Sequence, residues 1–417
     1  MIDPVLSQSF VLFISYNGML DPLGQSQVIP YLKELAAKGV EFKLLSFERP
    51  KVIARAGAKG CEELRDELAA HNIDWHWLRY HKRFSLLATG YDVVAGFFCA
   101  SRLVKGRSLN LVHARSHVPA TIGLLLKIRF NTQMIFDVRG LMAEEYVDAG
   151  HWRKQSIKFK VTKVVERRVF AATEGVVTLT KRIWPIIKEW DGLRSRDVKH
   201  AVVPCCADLD LFKYSASERI RRRSELGLKD ELLIVYSGSI DGWYLTEEMV
   251  DFFAFVLKHR PTAHSLWLTS GRDRIMELME QRGVSHSNFT VKFVRSREVP
   301  SYLSAADAGL AFIAPVFSKI ASSPTKFGEY LGCGLPIITN AGIGDSDELI
   351  DQKNVGVLLR KFDCDEYLTA LTQVEEHLKD SNRTRLKTRA AAEELFDVRT
   401  VGGPRYAELY QRVLKNN

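Results

Sequence analysis

Two doubly wound α/β domains, each built on a parallel sheet, are predicted for this chain on three observations. Short apolar runs alternate with helix-length amphipathic stretches from Phe10 to about Leu395. The alternation restarts beyond Pro204, again with an apolar strand followed by a glycine-bearing loop. A length of 417 residues suits two hydrophobic cores rather than one. The first domain is placed at residues 1–205 with a returning C-terminal segment, 398–417, and the second at 206–397.

In order, the apolar run 10–15 ends at Tyr16-Asn17-Gly18 and Asp21-Pro22-Leu23-Gly24. A helix is expected over 25–38, stopped by Gly39, with a strand over 40–47. Gly18 and Gly24 stand where such domains bring backbone close to a ligand, at the carboxyl ends of strands. The G-x-G-x-x-G fingerprint is absent, which argues against a nicotinamide dehydrogenase. Ile73, Trp75 and Trp77 alternate with Asp74, His76 and Leu78 as in a strand. Helices over 92–105 and 117–129 then alternate with strands over 109–114, 133–138 and 176–179.

Two strand exits carry polar clusters: His113-Ala114-Arg115-Ser116-His117, and Asp137-Val138-Arg139-Gly140 with Glu144 and Glu145 a turn later. Such residues either contact a ligand or cap and pair locally. Arg139 and Arg115 are the preferred ligand candidates, ahead of the histidines. Residues 151–170 read as a helix with an apolar stripe of Ile157, Val161, Val164, Val165 and Val169. Seven cations share its surface with Glu166 alone. This helix can lie on anionic lipid, or it can be a solvated face whose stripe packs on the sheet.

In the second domain a strand over 232–237 leads into Gly238-Ser239-Ile240-Asp241-Gly242-Trp243-Tyr244. A helix over 245–259 and strands over 264–269, 288–294 and 307–313 follow, with helices over 362–379, 383–395 and 398–414 closing the chain. The stretch Ser322 to Asn340 reads as a short helix clamped between two strands. Ser323 is expected as its N-cap and Pro324 as its first residue. Lys326 is unusual. The positive end of the helix dipole disfavours a cation by about 0.3–1 kcal/mol, so a lysine there suggests a bound anion. Alternatively it pairs with Glu329, on the same face.

Composition narrows the class. Hydrophobic content of 46% and charged content of 26% are those of a globular protein. Residues 2–10 carry no basic n-region, and the most apolar window, 84–104, contains Asp92 and Arg102 and falls short of a spanning segment. Six cysteines without a C-x-x-C pair suggest reduced thiols in the cytoplasm. The net charge of +9 lies in the first half, where 31 cations face 22 anions; the second half has 28 of each. A basic first domain facing an acidic partner follows. No nucleic-acid-binding module is visible. The triplets Asp208-Leu209-Asp210, Asp345-Ser346-Asp347 and Asp363-Cys364-Asp365 lack the second acidic cluster of a metal site, and no zinc spacing occurs.

These residues together resemble family-4 glycosyltransferases of the GT-B fold, in the branch that assembles bacterial cell-surface polysaccharides. The resemblance covers nearly the whole chain. It rests on the loop from Asp21 to Gln27, on Val112 to His117 and Phe136 to Gly140, on Val203 to Asp208, and on Tyr236-Ser237-Gly238-Ser239 with Trp243-Tyr244. Its most specific part is Ser323-Pro324-Thr325-Lys326-Phe327-Gly328-Glu329-Tyr330, followed by Gly332-Cys333-Gly334-Leu335-Pro336. The resemblance implies two Rossmann-like domains facing across a cleft, with the last helix crossing back to the first. It implies retaining transfer from a nucleotide diphosphate-sugar, UDP-sugar foremost, to a lipid-linked or saccharide acceptor, by front-face displacement and without a metal. Lys326, Arg139 and Arg115 are the catalytic candidates. Gly238, Ser239, Arg272, Arg295, Ser323, Thr325 and Glu329 are assigned to the donor, Glu329 to its ribose; Gly24, His117 and Glu144 are assigned to the acceptor side.

The family's paired glutamates are half present, since the first position is Ala321. Its usual Arg and Lys after the first donor-domain strand are replaced by Ser239 and Asp241. The implied location is the cytoplasm, with peripheral contact to the inner face of the membrane through 151–170. A nucleotide-sugar epimerase or a non-catalytic binding protein on the same architecture are the alternatives.

Overall fold

The computed structural model describes residues 4–81 and 86–415, Leu86 by its backbone alone. Ile2 and Asp3, the start of the apolar window at Phe84 and Ser85, and the final Asn416 and Asn417 lie outside the described residues. The chain forms two compact units, residues 1–204 with 398–417, and residues 205–397.

In the first unit α1 (Pro4–Ser7) precedes β1 (Phe10–Ser15), which is buried throughout. The single helix expected next is two, α2 (Pro22–Gln27) and α3 (Ile29–Ala36), because Val28 leaves the helical region at φ −128°, ψ −62°. Pro30 explains the break: without an N–H it cannot continue the first helix but fits the first turn of a new one. Then come β2 (Glu41–Glu48), α4 (Pro50–Ala69), β3 (Ile73–Arg79), α5 (Leu86–Leu103) and β4 (Leu111–Arg115). α6 (His117–Phe130) and β5 (Gln133–Val138) follow. The helix expected over 151–170 starts later. After α7 (Met142–Asp148) a loop leads to Ser156, whose hydroxyl accepts from the Phe159 N–H and opens α8 (Ile157–Ala172). β6 (Gly175–Thr178), α9 (Trp184–Lys188) and β7 (Lys199–Val202) complete the sheet.

The second unit runs α10 (Ala216–Glu225), β8 (Leu233–Ser237), α11 (Thr246–His259), β9 (His264–Leu268), α12 (Arg272–Gln281) and β10 (Phe289–Lys292). It continues through α13 (Val299–Ala305), β11 (Ala308–Ala311), α14 (Thr325–Gly332), β12 (Ile337–Asn340), α15 (Ser346–Lys353) and β13 (Gly356–Leu359). α16 (Cys364–Lys379) and α17 (Ser381–Leu395) close it. Two hydrophobic clusters form its core, one around Phe252, Phe253 and Trp267, the other around Phe327, Tyr330 and Leu335. The last helix, α18 (Gly403–Leu414), belongs to the first unit and packs on α3 and β7.

Both sheets are parallel, ordered β3-β2-β1-β4-β5-β6-β7 and β10-β9-β8-β11-β12-β13. In each, strand order reverses beside the first strand. The connections to either side of that point leave in opposite directions and open a crevice at the carboxyl ends, where ligands bind in such folds. The crevices lie between β1 and β4, and between β8 and β11.

Candidate functional site

The second crevice is built around Lys326. β8 ends at Ser237, and the turn out of it needs Gly238, whose φ of +133° few side chains tolerate. The Gly238 N–H donates to the Leu268 carbonyl at the end of β9, 3.0 Å away. A Cβ on Gly238 would stand 3.3 Å from Lys326 Nζ, so the lysine reaches from the first turn of α14 to the loop after β8. Tyr330, a turn further along α14, fixes this geometry. Its hydroxyl accepts from the Ser237 N–H at 2.8 Å. Its ring crosses Gly309 of β11 so closely that a Cβ there would lie 2.3 Å from it.

Lys326 is 6% exposed, and its ammonium lies 4.1 Å from the centre of the Tyr236 ring and 3.8 Å from that of Tyr244. Nζ has no hydrogen-bond partner among the described residues. Pairing with Glu329, the alternative reading, is therefore not direct. Burial pulls the Lys326 ammonium down to about 7 against the attraction of Glu329. Burial likewise pushes the Glu329 carboxyl up to about 7 against the attraction of Lys326. A buried ammonium held only by two ring faces is an unsatisfied donor, and an anion at the mouth of α14 would satisfy it.

Ser323 is not the N-cap. The helix begins at Thr325, with extended Pro324 (φ −67°, ψ 120°) before it and no side chain capping it. Ser323 sits one position too early, and its hydroxyl accepts instead from the Cys205 N–H at 3.1 Å. Thr325 takes the first helical position. Ser239 is exposed, and its carbonyl accepts from the Tyr236 hydroxyl. Arg272 opens α12 and donates to the Val291 carbonyl at 3.1 Å. Arg295, exposed, follows β10 and begins a short turn. Gly238, Ser239, Arg272, Arg295, Thr325 and Glu329 thus follow or flank the same sheet edge. Tyr236 and Tyr244, which hold Lys326, belong to the loop motif that carries the resemblance, but nothing in the sequence assigned them a role at the site.

In the first unit a cavity of about 630 Å³ opens at the crevice. Its walls include Tyr16 and Asn17 after β1, Phe47 of β2, Tyr80 and His81 after β3, Tyr146 of α7, and Trp152 stacked on Tyr146 at 4.3 Å. Asp21, Arg49, Glu145 and Lys158 supply charges of both signs. Ser116, at the exit of β4, also lines it, with φ 79° and ψ 175°, a region that essentially only glycine occupies freely. Ser116→Gly is expected to raise the unfolding free energy by about 1 kcal/mol, read by denaturant titration. An unchanged midpoint would contradict strain at this wall.

Neither arginine candidate lines this cavity. Arg115 is buried and donates to Asn17 Oδ1 at 2.8 Å, tying down the loop after β1. Arg139 Nη1 stands 3.7 Å from Asp137 Oδ1. Asp137 is fully buried, and the Tyr406 hydroxyl of α18 donates to it at 2.8 Å. Burial opposes its ionisation, but Arg139, then His113 and Arg115, hold its carboxyl down at about 2. Burial depresses His113, whose Nδ1 meets the Tyr410 hydroxyl at 2.6 Å.

The acceptor-side candidates do not gather in the cavity. His117 Nε2 meets Glu166 at 3.0 Å, and Glu144 pairs with Lys163 at 3.0 Å, so both anchor α8. Gly24 packs against backbone, since a Cβ would lie 2.1 Å from the Gly18 carbonyl oxygen. The aromatic wall was missed because its members come from three separate connections and one strand. Among the described residues no group of three or more His, Cys, Asp or Glu is placed to share a metal ion, and no helix is long and apolar enough to cross a membrane.

No protein-family model matches the sequence, and no curated protein matches it. Solved structures do. Sucrose-phosphate synthase from Thermosynechococcus elongatus is similar with a TM-score of 0.77 and 17% identity, over 98% of this chain and 100% of that one. Anabaena HepE in complex with UDP-glucose has a TM-score of 0.67 and 14% identity, over 98% of each chain. WaaG, a glycosyltransferase involved in lipopolysaccharide biosynthesis, has a TM-score of 0.67 and 14% identity, over 97% of this chain and 99% of that one. At these identities the likeness establishes the architecture: the chain has the two-domain GT-B fold.

Proposed function

We propose that the chain is a retaining glycosyltransferase, related to family 4, that moves a sugar from a UDP-sugar to a lipid-linked or saccharide acceptor in bacterial polysaccharide assembly. The observation that carries this reading is the buried, unpartnered Lys326 ammonium at the mouth of α14. The resemblance of the 323–336 segment and the fold shared with UDP-glucose-binding HepE support the nucleotide-sugar.

In this reading the diphosphate lies at the N-terminus of α14, where free N–H groups and Lys326 stabilise charge on the leaving phosphate. An acceptor hydroxyl attacks the anomeric carbon as its bond to the phosphate oxygen breaks. The departing diphosphate takes the hydroxyl proton, so no dedicated nucleophile is needed. Glu329 accepts from the ribose hydroxyls, and Arg272 and Arg295 stand along the edge that carries diphosphate and base. The aromatic cavity of the first unit suits the acceptor, its ring faces packing on sugar C–H surfaces. No metal is required. The enzyme acts in the cytoplasm, touching the membrane through the basic segment that includes α8.

The test is a donor screen with chelator present, following product by mass. Transfer of hexose to a lipid-linked saccharide supports the reading; an isomerised donor without acceptor, or no turnover with any UDP-sugar, contradicts it. Glu329→Ala is expected to weaken UDP binding about 10–100-fold, since hydrogen bonds to a charged group contribute about 1.5–3 kcal/mol. Unchanged affinity by calorimetry would remove the ribose role.

A further inference from the structure

The outer layer of α5, α6 and α8 has a composition unlike an ordinary solvated surface. On α5, Leu87, Tyr91, Val94 and Phe98 are 85%, 61%, 53% and 62% exposed. Their spacing places all four on one stripe of the helix. α6 packs beside α5 and adds exposed Leu125 and Ile128; α8 packs beside α6 and adds Ile157, Val161 and Val164. The five α8 residues read from the sequence as one apolar stripe are thus divided: Val169 is buried, Val165 is half-buried, and Ile157, Val161 and Val164 face outward with cations between them.

The charges on these helices are one-sided. Their two carboxylates, Asp92 and Glu166, are buried and held internally by His81 and Tyr16, and by His117 and Lys163. Every exposed charge on the three helices is a cation, with Arg102, Arg129, Lys160 and Arg168 on the outer side. α4 of the same domain provides the contrast. It exposes Lys51, Arg55, Lys59 and Arg65 against Glu62, Glu63, Asp66 and Glu67, and no large apolar side chain.

We propose that this face docks on an anionic lipid bilayer, with the Leu87–Phe98 stripe of α5 entering the boundary between headgroups and acyl chains and the α6 and α8 cations meeting lipid phosphate. This deepens, and rests on, the membrane contact proposed above, and moves its apolar anchor from α8 to α5. Apolar stripe and cation-only surround are what an interfacial helix layer needs, insertion and electrostatic attraction acting together. A protein partner's buried core would instead favour few charges at the patch.

The test is co-sedimentation of the full chain with vesicles of phosphatidylcholine alone or mixed equally with phosphatidylglycerol. The wild type should bind the mixed vesicles and release them in high salt. Tyr91→Glu with Phe98→Glu, and separately Lys160→Glu with Arg168→Glu, should each reduce binding about ten-fold or more. Melting temperature and UDP affinity should not change, because these side chains are exposed. Equal binding by both variants, or none by the wild type, would overturn the proposal. So would a dimer that forms without vesicles and dissolves on the Tyr91→Glu, Phe98→Glu change. Vesicle binding without transfer in any donor screen would support the docking face while removing the transferase reading.

Discussion

Lys326→Met is expected to lower kcat for glycosyl transfer about 10²–10³-fold, the loss typical of removing one preorganised group that stabilises a developing anion. The fold should gain stability rather than lose it. Burial lowers the folded Lys326 value from 10.5 to about 7, so the unfolded chain holds this proton more tightly. The resulting deficit is full below about pH 7 and disappears as pH rises toward 10.5. The variant should therefore melt higher than wild type at pH 6 and at nearly the same temperature at pH 10. Near-normal turnover in steady-state assays would remove the lysine from the reaction; a lower melting temperature at pH 6 would show that its ammonium is satisfied by the protein.

Asp137→Ala is expected to cost about 3–5 kcal/mol of stability, as breaking a buried ion pair leaves the remaining charges uncompensated. Arg139 would lose its carboxylate and the Tyr406 hydroxyl of α18 its acceptor, loosening the C-terminal helix from the sheet. The pH dependence has a definite sign. A carboxyl lowered from 3.8 to about 2 stabilises the fold above about pH 4, and that contribution is lost as pH falls toward 2. Urea titrations at pH 7 and pH 3 should show the wild-type advantage shrinking at the lower pH. An equal advantage at both would contradict the ionised assignment.

Much of the architecture was readable because parallel strands buried on both faces leave continuous apolar runs, and the glycine loops mark their carboxyl ends. Lys326 was readable for a separate reason: a cation in the first turn of a helix opposes the dipole and needs an explanation. Its cage was not. Tyr236 lies near the end of β8 and Tyr244 in the following loop, 90 and 82 residues before the lysine in sequence, and only the strand order brings them together. The first-unit cavity was obscured in the same way, since its aromatics come from β2 and from three separate connections.

Local chemistry also misled where tertiary partners intervened. Ser323 has the composition of a cap, but the Cys205 N–H takes its hydroxyl. His117 and Glu144 sit at strand exits, yet Glu166 and Lys163 engage them. The periodic valines of α8 look like core because sequence periodicity marks a stripe without saying which way it faces.

The central claim, that Lys326 awaits a phosphate anion, is tested most directly by titrating UDP into the protein calorimetrically at pH 8 in buffers of different ionisation enthalpy. The terminal phosphate is already ionised at that pH, and Lys326, at about 7 without ligand, is mostly neutral. Binding that restores its charge should take up close to one proton from buffer, and Lys326→Met should abolish the uptake. UDP binding with no proton uptake, or with the same uptake in the variant, would contradict the account.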